Sequence, residues 1–215
     1  LKYILYDITH PVKNEFREFG LTMYCGRQGA GKTISMVEYL NRMREKYPDA
    51  IIVTNFEYAH ADLQFNDWED LIKIENGVKG VIFAIDEIHT DFSSTKWKDF
   101  PDNLLSEVSQ QRKQRKKIIA SSQVFTRVVK PLREQCFTVV QCKTFFRRLV
   151  YCRVYDAWDY ESCIDKGNTP SHRSLKPLKT YWYVQTDYLR GCYDTYQKIK
   201  SLSKDKLLKR ADRIR

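Results

Sequence analysis

Gly26-Arg27-Gln28-Gly29-Ala30-Gly31-Lys32-Thr33 decides how this chain is read. It fits G-x-x-x-x-G-K-[ST] at every fixed position, and what flanks it matters as much as the match. Before it, Thr22-Met23-Tyr24-Cys25 is a short apolar run after Gly20, which predicts a strand. After it, Ile34, Met36, Val37, Leu40 and Met43 recur at helical spacing until Tyr47-Pro48. A strand, a glycine-rich turn and a helix in that order form a phosphate cradle. The glycines let backbone N–H groups turn inward, and the helix adds its N-terminal dipole. Gly26, Arg27, Gln28, Gly29, Ala30 and Gly31 are therefore expected to wrap a nucleotide's phosphates. Lys32 reaches the β- and γ-phosphates, and the Thr33 hydroxyl is a Mg²⁺ ligand. ATP and Mg²⁺ are the expected cofactors.

Outward from that stretch, Ala50-Ile51-Ile52-Val53-Thr54-Asn55 and Gly80-Val81-Ile82-Phe83-Ala84-Ile85 read as buried strands. A short helix is expected around Asp67–Ile72, and a longer one after Pro101 through Leu104, Leu105, Val108 and Gln111. Ile118-Ile119-Ala120-Ser121-Ser122-Gln123 is a further strand. Strands alternating with helices predict a parallel sheet covered on both faces, with ligands at the carboxyl ends of the strands. Three such ends carry polar groups: the glycine loop, Asp86-Glu87 and Gln123. Asp86 is placed to hold the metal through water, and Glu87 to act as general base toward an attacking water. Gln123 is either a γ-phosphate or water sensor or a turn cap. His89, two residues after Glu87, is read as a bystander.

From Phe137 the pattern becomes a β-hairpin, Thr138–Gln141 and Leu149–Tyr155 around the basic turn Phe145-Phe146-Arg147-Arg148. A loop follows over Asp165–Ser171, then a helix over Asp187–Leu202 and a basic end from Lys204. The expected division is an α/β RecA-like P-loop core over 1–130, a small β-containing lid subdomain over 131–203, and a basic tail or linker over 204–215.

The 215 residues, 42% hydrophobic and 30% charged, suit one α/β domain with an appendage and exclude a disordered chain. No run approaches the ~18 apolar residues of a membrane span, and the first residues lack a secretory signal, so a cytoplasmic setting is expected. Six scattered cysteines without CxxC pairs read as free thiols rather than a disulfide framework. The net charge of +10 favours a polyanionic partner. Five of the six residues from Arg112 to Lys117 are basic, at the end of a predicted helix taken to lie beside the active-site edge. That run is a solvated helix terminus, the source of an arginine finger, or a contact to nucleic-acid phosphates.

The succession of Gly26–Thr33, Ile52-Val53-Thr54-Asn55, Ile85-Asp86-Glu87, Gln110-Gln111-Arg112 to Lys117 and Ser121-Ser122-Gln123 resembles the FtsK–HerA superfamily of DNA-pumping ATPases. Two of its branches are similar: the DNA-packaging ATPases of small tailed phages, and the Zot-like assembly proteins of filamentous phages. The resemblance spans roughly Thr22 to Glu134. It implies a homo-oligomeric ring of five or six subunits with ATP sites between neighbours, double-stranded DNA in the pore, and portal or capsid components as partners. It also implies that Asp86 and Glu87 are the metal-associated and catalytic carboxylates. By the same resemblance Arg112 is the trans-acting finger, with Arg115 second. The packaging branch, a motor in the host cytoplasm docked on the procapsid, is the leading expectation because no membrane span is present. A Zot-like assembly ATPase acting with a membrane partner is the alternative, and a P-loop kinase of a small acceptor is a further one.

Overall fold

The computed structural model of the chain describes residues 15–88, 111–171 and 174–193, together with 2, 5 and 6. His89, most of the helix expected after Pro101, the end of the helix expected over Asp187–Leu202 and the basic tail lie outside the described residues.

Eight strands form one sheet in the order β3-β2-β4-β5-β1-β6-β7-β8. They are β1 (Gly20–Cys25), β2 (Ile51–Thr54), β3 (Leu63–Gln64), β4 (Val81–Ile85), β5 (Lys116–Ser122), β6 (Cys136–Phe145), β7 (Leu149–Asp156) and β8 (Lys179–Val184). Pairing is parallel from β3 through to β6 and antiparallel for β6–β7 and β7–β8. The expected α/β class with a mainly parallel sheet is therefore what the chain adopts.

Strand alternation divides the core between the two faces. Val81, Phe83 and Ile85 of β4 join one cluster with Leu21, Met23, Ile118 and Ala120. Ile82 and Ala84 join the other, with Ile119 and the apolar stripe Ile34, Met36, Val37, Leu40 and Met43 of helix α1 (Lys32–Lys46). Because both faces are covered, β1, β4 and β5 are buried along their whole length, which the unbroken apolar run of β4 requires. Among the described residues the remaining named α-helices are short: α2 (Asp70–Lys73), α3 (Gln111–Gln114), α4 (Lys130–Glu134), α5 (Ala157–Asp165) and α6 (Asp187–Gly191). The Asp156 carboxylate caps α5 by accepting from the Trp158 and Asp159 amides.

Two expectations need correcting. Segment 131–203 does not form a separate lid sheet, because β6 hydrogen-bonds in parallel to β1, with Met23 opposite Val139 and Cys25 opposite Gln141. The hairpin itself is as expected, but it widens the same sheet and carries β8 on its outer side. The second correction concerns the basic run. β5 begins at Lys116, so two of its lysines are strand residues and are buried. Lys116 Nζ donates to Leu71 O at 2.9 Å and Ile72 O at 3.3 Å, and Lys117 Nζ donates to Thr22 Oγ1 at 2.8 Å and Phe19 O at 3.2 Å. Carbonyl and hydroxyl acceptors offset part of the cost of burying these ammonium groups. They have no access to DNA phosphates. Among the basic residues of the run, Arg112 and Lys113 are exposed and Arg115 is half-buried.

Candidate nucleotide site

Parallel pairing brings the carboxyl ends of β1, β2, β4 and β5 to one edge, and every residue of the site hangs from one of them. The loop after β1 turns through left-handed backbone at Gly29 (φ 76°) and at Gly31 (φ 90°), the N-cap of α1. A Cβ on Gly31 would lie 2.8 Å from Thr144 Oγ1 and 3.3 Å from a Val150 methyl. A Cβ on Gly26 would lie 2.9 Å from the Cys142 carbonyl oxygen. Glycine is therefore required there by the β6–β7 hairpin as well as by the turn.

Lys32 is buried, and its Nζ rests on the Arg27 carbonyl at 3.3 Å, inside the curl of the loop. Thr33 Oγ1 lies 3.2 Å from both Oδ1 and Oδ2 of Asp86, which follows β4 directly. A hydroxyl against a carboxylate at the mouth of an amide-lined loop is a hard-oxygen donor set. It fits Mg²⁺, which takes one or two protein oxygens and fills the rest of its shell with phosphates and water. The described residues contain no group of three or more His, Cys, Asp or Glu that could hold a metal by itself.

Two residues that sequence reasoning assigned no role fix Asp86, one at its backbone and one at its carboxylate. Asn55, just past β2, donates from Nδ2 to Asp86 O at 3.0 Å and accepts from Asp86 N at its Oδ1 at 2.7 Å. Ser121, in β5, donates from Oγ to Asp86 Oδ1, and the same oxygen accepts from the Glu87 amide at 2.9 Å. Glu87 sits in left-handed backbone (φ 53°), uncommon for a residue with a side chain and typical of strained functional turns. Gln123 follows β5 on the same edge, with Arg127 NH1 3.5 Å from its Oε1.

The loop, Lys32, Thr33, Asp86, Glu87 and Gln123 thus share one edge, whereas Arg112 and Arg115 do not. Both precede β5, whose first residues pair with Gly20 at the start of β1, so they stand at the opposite edge from the loop. The expectation that the basic run lies beside its own active site is corrected by this polarity. Arg115 pairs with Glu15 at 2.8 Å, which holds the Glu15 carboxyl below its ordinary pKa, and Arg112 lies over the Phe19 ring at 5.6 Å from its centroid.

The six cysteines are all buried and free. Cys142 and Cys152 face each other across the hairpin with sulfurs 3.9 Å apart. Burial pushes the Cys136 thiol up to about 12, so it stays protonated. Beneath the loop, Ser35 Oγ donates to Gly31 O at 2.7 Å and accepts from the Tyr183 hydroxyl at 2.8 Å, tying β8 to the first turn of α1. No helix among the described residues is long and apolar enough to cross a membrane.

No family model and no curated protein matches the sequence. Among solved structures, the fold is similar to the N-terminal domain of zonular occludens toxin from Neisseria meningitidis, with a TM-score of 0.58 at 13% identity. That likeness covers 82% of this chain and 99% of that one. It is also similar to the genome packaging NTPase B204 of Sulfolobus turreted icosahedral virus 2 in complex with ATP-gammaS, with a TM-score of 0.49 at 12% identity, over 65% of this chain and 92% of that one. B204 from Sulfolobus turreted icosahedral virus, described as a DNA-packaging ATPase, gives a TM-score of 0.48 at 12% identity, covering 64% and 92%. The chain has the α/β fold of the P-loop NTPases, similar to that of the zonular occludens toxin N-terminal domain.

Proposed function

We propose that this chain is a Mg²⁺-dependent ATPase whose subunits assemble into a ring and move DNA while a virus particle is built. The observation that carries the ATPase reading is the Thr33 hydroxyl set against both oxygens of Asp86, with Glu87 next along the chain and tied to Ser121, which also bonds the Asp86 carboxylate. The loop amides and Lys32 bind the β- and γ-phosphates, and Thr33 and Asp86 hold the metal. Mg²⁺, when bound, neutralises charge on the phosphoryl oxygens. Glu87 takes the proton of the attacking water, and Gln123 orients that water or the γ-phosphate.

Arg112 and Arg115 stand on the far edge from their own loop, so a catalytic role for either requires a neighbouring subunit's site. Arg112 is the better finger, because Arg115 is already paired with Glu15. The net charge of +10 supports a polyanionic substrate.

Two settings fit this chemistry. Translocation of double-stranded DNA into a capsid, at a portal in the host cytoplasm, follows from the sequence resemblance. Assembly of a phage particle with a membrane partner is favoured by one specific observation, the fold likeness to nearly the whole of the zonular occludens toxin N-terminal domain.

The test is the steady-state ATPase rate against protein concentration, with and without double-stranded DNA, for the parent and for Arg112→Ala mixed with Glu87→Gln. Each variant alone should be inactive. Activity that rises with concentration and with DNA, and is partly restored in the mixture, is expected of a ring motor. A rate per subunit flat in concentration, indifferent to DNA and dependent on a small acceptor would replace the motor with a kinase.

A further inference from the structure

The β6–β7 turn is built at a cost that its contacts do not explain. Arg148 N donates to Phe145 O at 3.1 Å, and the two central residues, Phe146 and Arg147, have φ of 49° and 63°. Phe145 stands opposite Leu149, so the loop has three residues, and its first two lie in the left-handed region that favours Asn and Gly. Phenylalanine and arginine are poor choices there, and burial does not compensate, since Phe146 is 89% exposed.

The turn is nonetheless held firmly. Arg148 reaches Gln185 O at 3.0 Å and Asp187 Oδ1 at 2.8 Å, Gln185 N donates to Arg148 O at 2.8 Å, and Arg190 NH2 donates to Arg147 O at 2.6 Å. A strained turn braced from the β8–α6 junction presents an apolar ring to solvent. Such a combination marks a functional position.

Its placement indicates what the ring meets. Gln141 pairs with Cys25, the last residue of β1, and β6 runs four residues further, so the tip stands roughly 13 Å beyond the end of β1 on the nucleotide edge. Thr144 and Val150 press directly on Gly31, and the Thr144 hydroxyl is buried there without a hydrogen-bond partner. Thr33 faces Asp86, just past β4, so a metal and γ-phosphate held by this pair would lie toward that flank of β1. The hairpin occupies the opposite flank, toward which the nucleoside of a nucleotide so bound would extend.

We infer that the β6–β7 turn is the nucleobase platform of the site: Phe146 stacks on the purine of the nucleotide whose phosphates fill the loop, and the Arg147 guanidinium borders the same base. This rests on the nucleotide-binding reading above. It adds the part of the site that distinguishes a nucleoside triphosphate from bare phosphate chains.

The experiment is calorimetric binding of Mg-ATP and of Mg-tripolyphosphate to the parent, to Phe146→Asn/Arg147→Gly and to Phe146→Trp, with melting temperatures for all three. The double variant installs the preferred turn residues, so its melting temperature should stay level or rise, and misfolding does not confuse the result. Its affinity for ATP should fall roughly five- to a hundredfold while tripolyphosphate binds as before, and Phe146→Trp should retain ATP affinity. Unchanged ATP affinity in the double variant overturns the assignment, also where binding to a single-stranded oligonucleotide is lost, which would give the tip to a polymer. A parallel loss of ATP and tripolyphosphate overturns it too, since the turn would then act only by bracing the loop. A parent that binds tripolyphosphate as tightly as ATP refutes the base platform and leaves the phosphate site standing. A parent that binds neither removes both.

Discussion

The Asn55 side chain clasps the Asp86 backbone from both sides, donating to its carbonyl at 3.0 Å and accepting from its amide at 2.7 Å. β2 neighbours β4, with Thr54 opposite Ala84, so Asn55 continues a ladder that the strands have just left. The clasp holds the tip of β4 in the one position that puts the Asp86 carboxylate against Thr33.

Asn55→Ala should therefore affect both stability and turnover. Losing two partly buried hydrogen bonds and leaving their partners unsatisfied is worth about 1–3 kcal/mol. A chemical-denaturation series should show a lower midpoint at unchanged slope. Turnover should fall more than ATP affinity, because the loop itself is not touched. Asn55→Asp keeps the acceptor but sets a carboxylate oxygen against the Asp86 carbonyl, and should be no better than alanine.

Ser121→Ala isolates the second support. One hydroxyl orients Asp86 Oδ1 and receives the Glu87 amide, so its removal loosens together the two carboxylates proposed to hold the metal and to act as general base. The expected result is a several-fold higher Mg²⁺ requirement and at least a tenfold slower turnover, with tripolyphosphate binding in the absence of metal unchanged. A Mg²⁺ titration of the ATPase rate checks it. An unaltered Mg²⁺ midpoint would leave Ser121 a packing residue.

These two supports could not be read from the sequence, although the groups they hold could. Gly26–Thr33 is contiguous and carries its own context of strand and helix, and Asp86 announces itself at the end of five apolar residues. Asn55 and Ser121 matter only because β2 and β5 lie on either side of β4, and strand order is not written in local pattern. The same limit explains the misplaced lid. From Phe137 the chain turns from continuous apolar runs to alternating ones, which reads as a new unit, yet β6 is the parallel neighbour of β1. The change in texture reflects a sheet covered on both faces giving way to one partly open at β8, where Trp182 and Val184 are exposed. The basic run misled for a related reason. Residues 116 and 117 look like the end of a charged helix until the register with β4 shows that β5 has begun.

Gly31→Ala tests the contact between loop and hairpin. At φ 90° a side chain is strained, and the added methyl meets Thr144 Oγ1 at 2.8 Å. We expect at least tenfold weaker tripolyphosphate binding and a loss of about 1–3 kcal/mol in stability. Adding Thr144→Ala to Gly31→Ala should recover part of the stability, since it removes the atom in the way, but little of the binding, since the backbone strain remains. Recovery of both would show the clash, not the dihedral angle, to be decisive.

Lys117 gives the fold a pH dependence of known sign. Burial lowers its pKa from the ordinary 10.5 to about 8, while in the unfolded chain it keeps the ordinary value. Between these two pH values the unfolded state binds more protons than the folded one, so this residue's contribution to stability rises with pH from about 8 to 10.5. Below pH 8 the folded protein carries a buried charge whose hydrogen bonds to Thr22 Oγ1 and Phe19 O only partly replace water. Buried cysteines such as Cys136 work in the opposite sense above pH 9, because the unfolded thiols ionise while the folded ones do not. A difference measurement separates the two. The stability of the parent minus that of Lys117→Met, from urea unfolding at pH 7.5 and pH 9, should increase by roughly 1–2 kcal/mol across the interval. Methionine fills the space of the lysine stem without the charge, so the variant should be at least as stable as the parent at pH 7.5. A difference that stays constant with pH would mean that Lys117 remains charged in the folded protein, with water reaching its ammonium group.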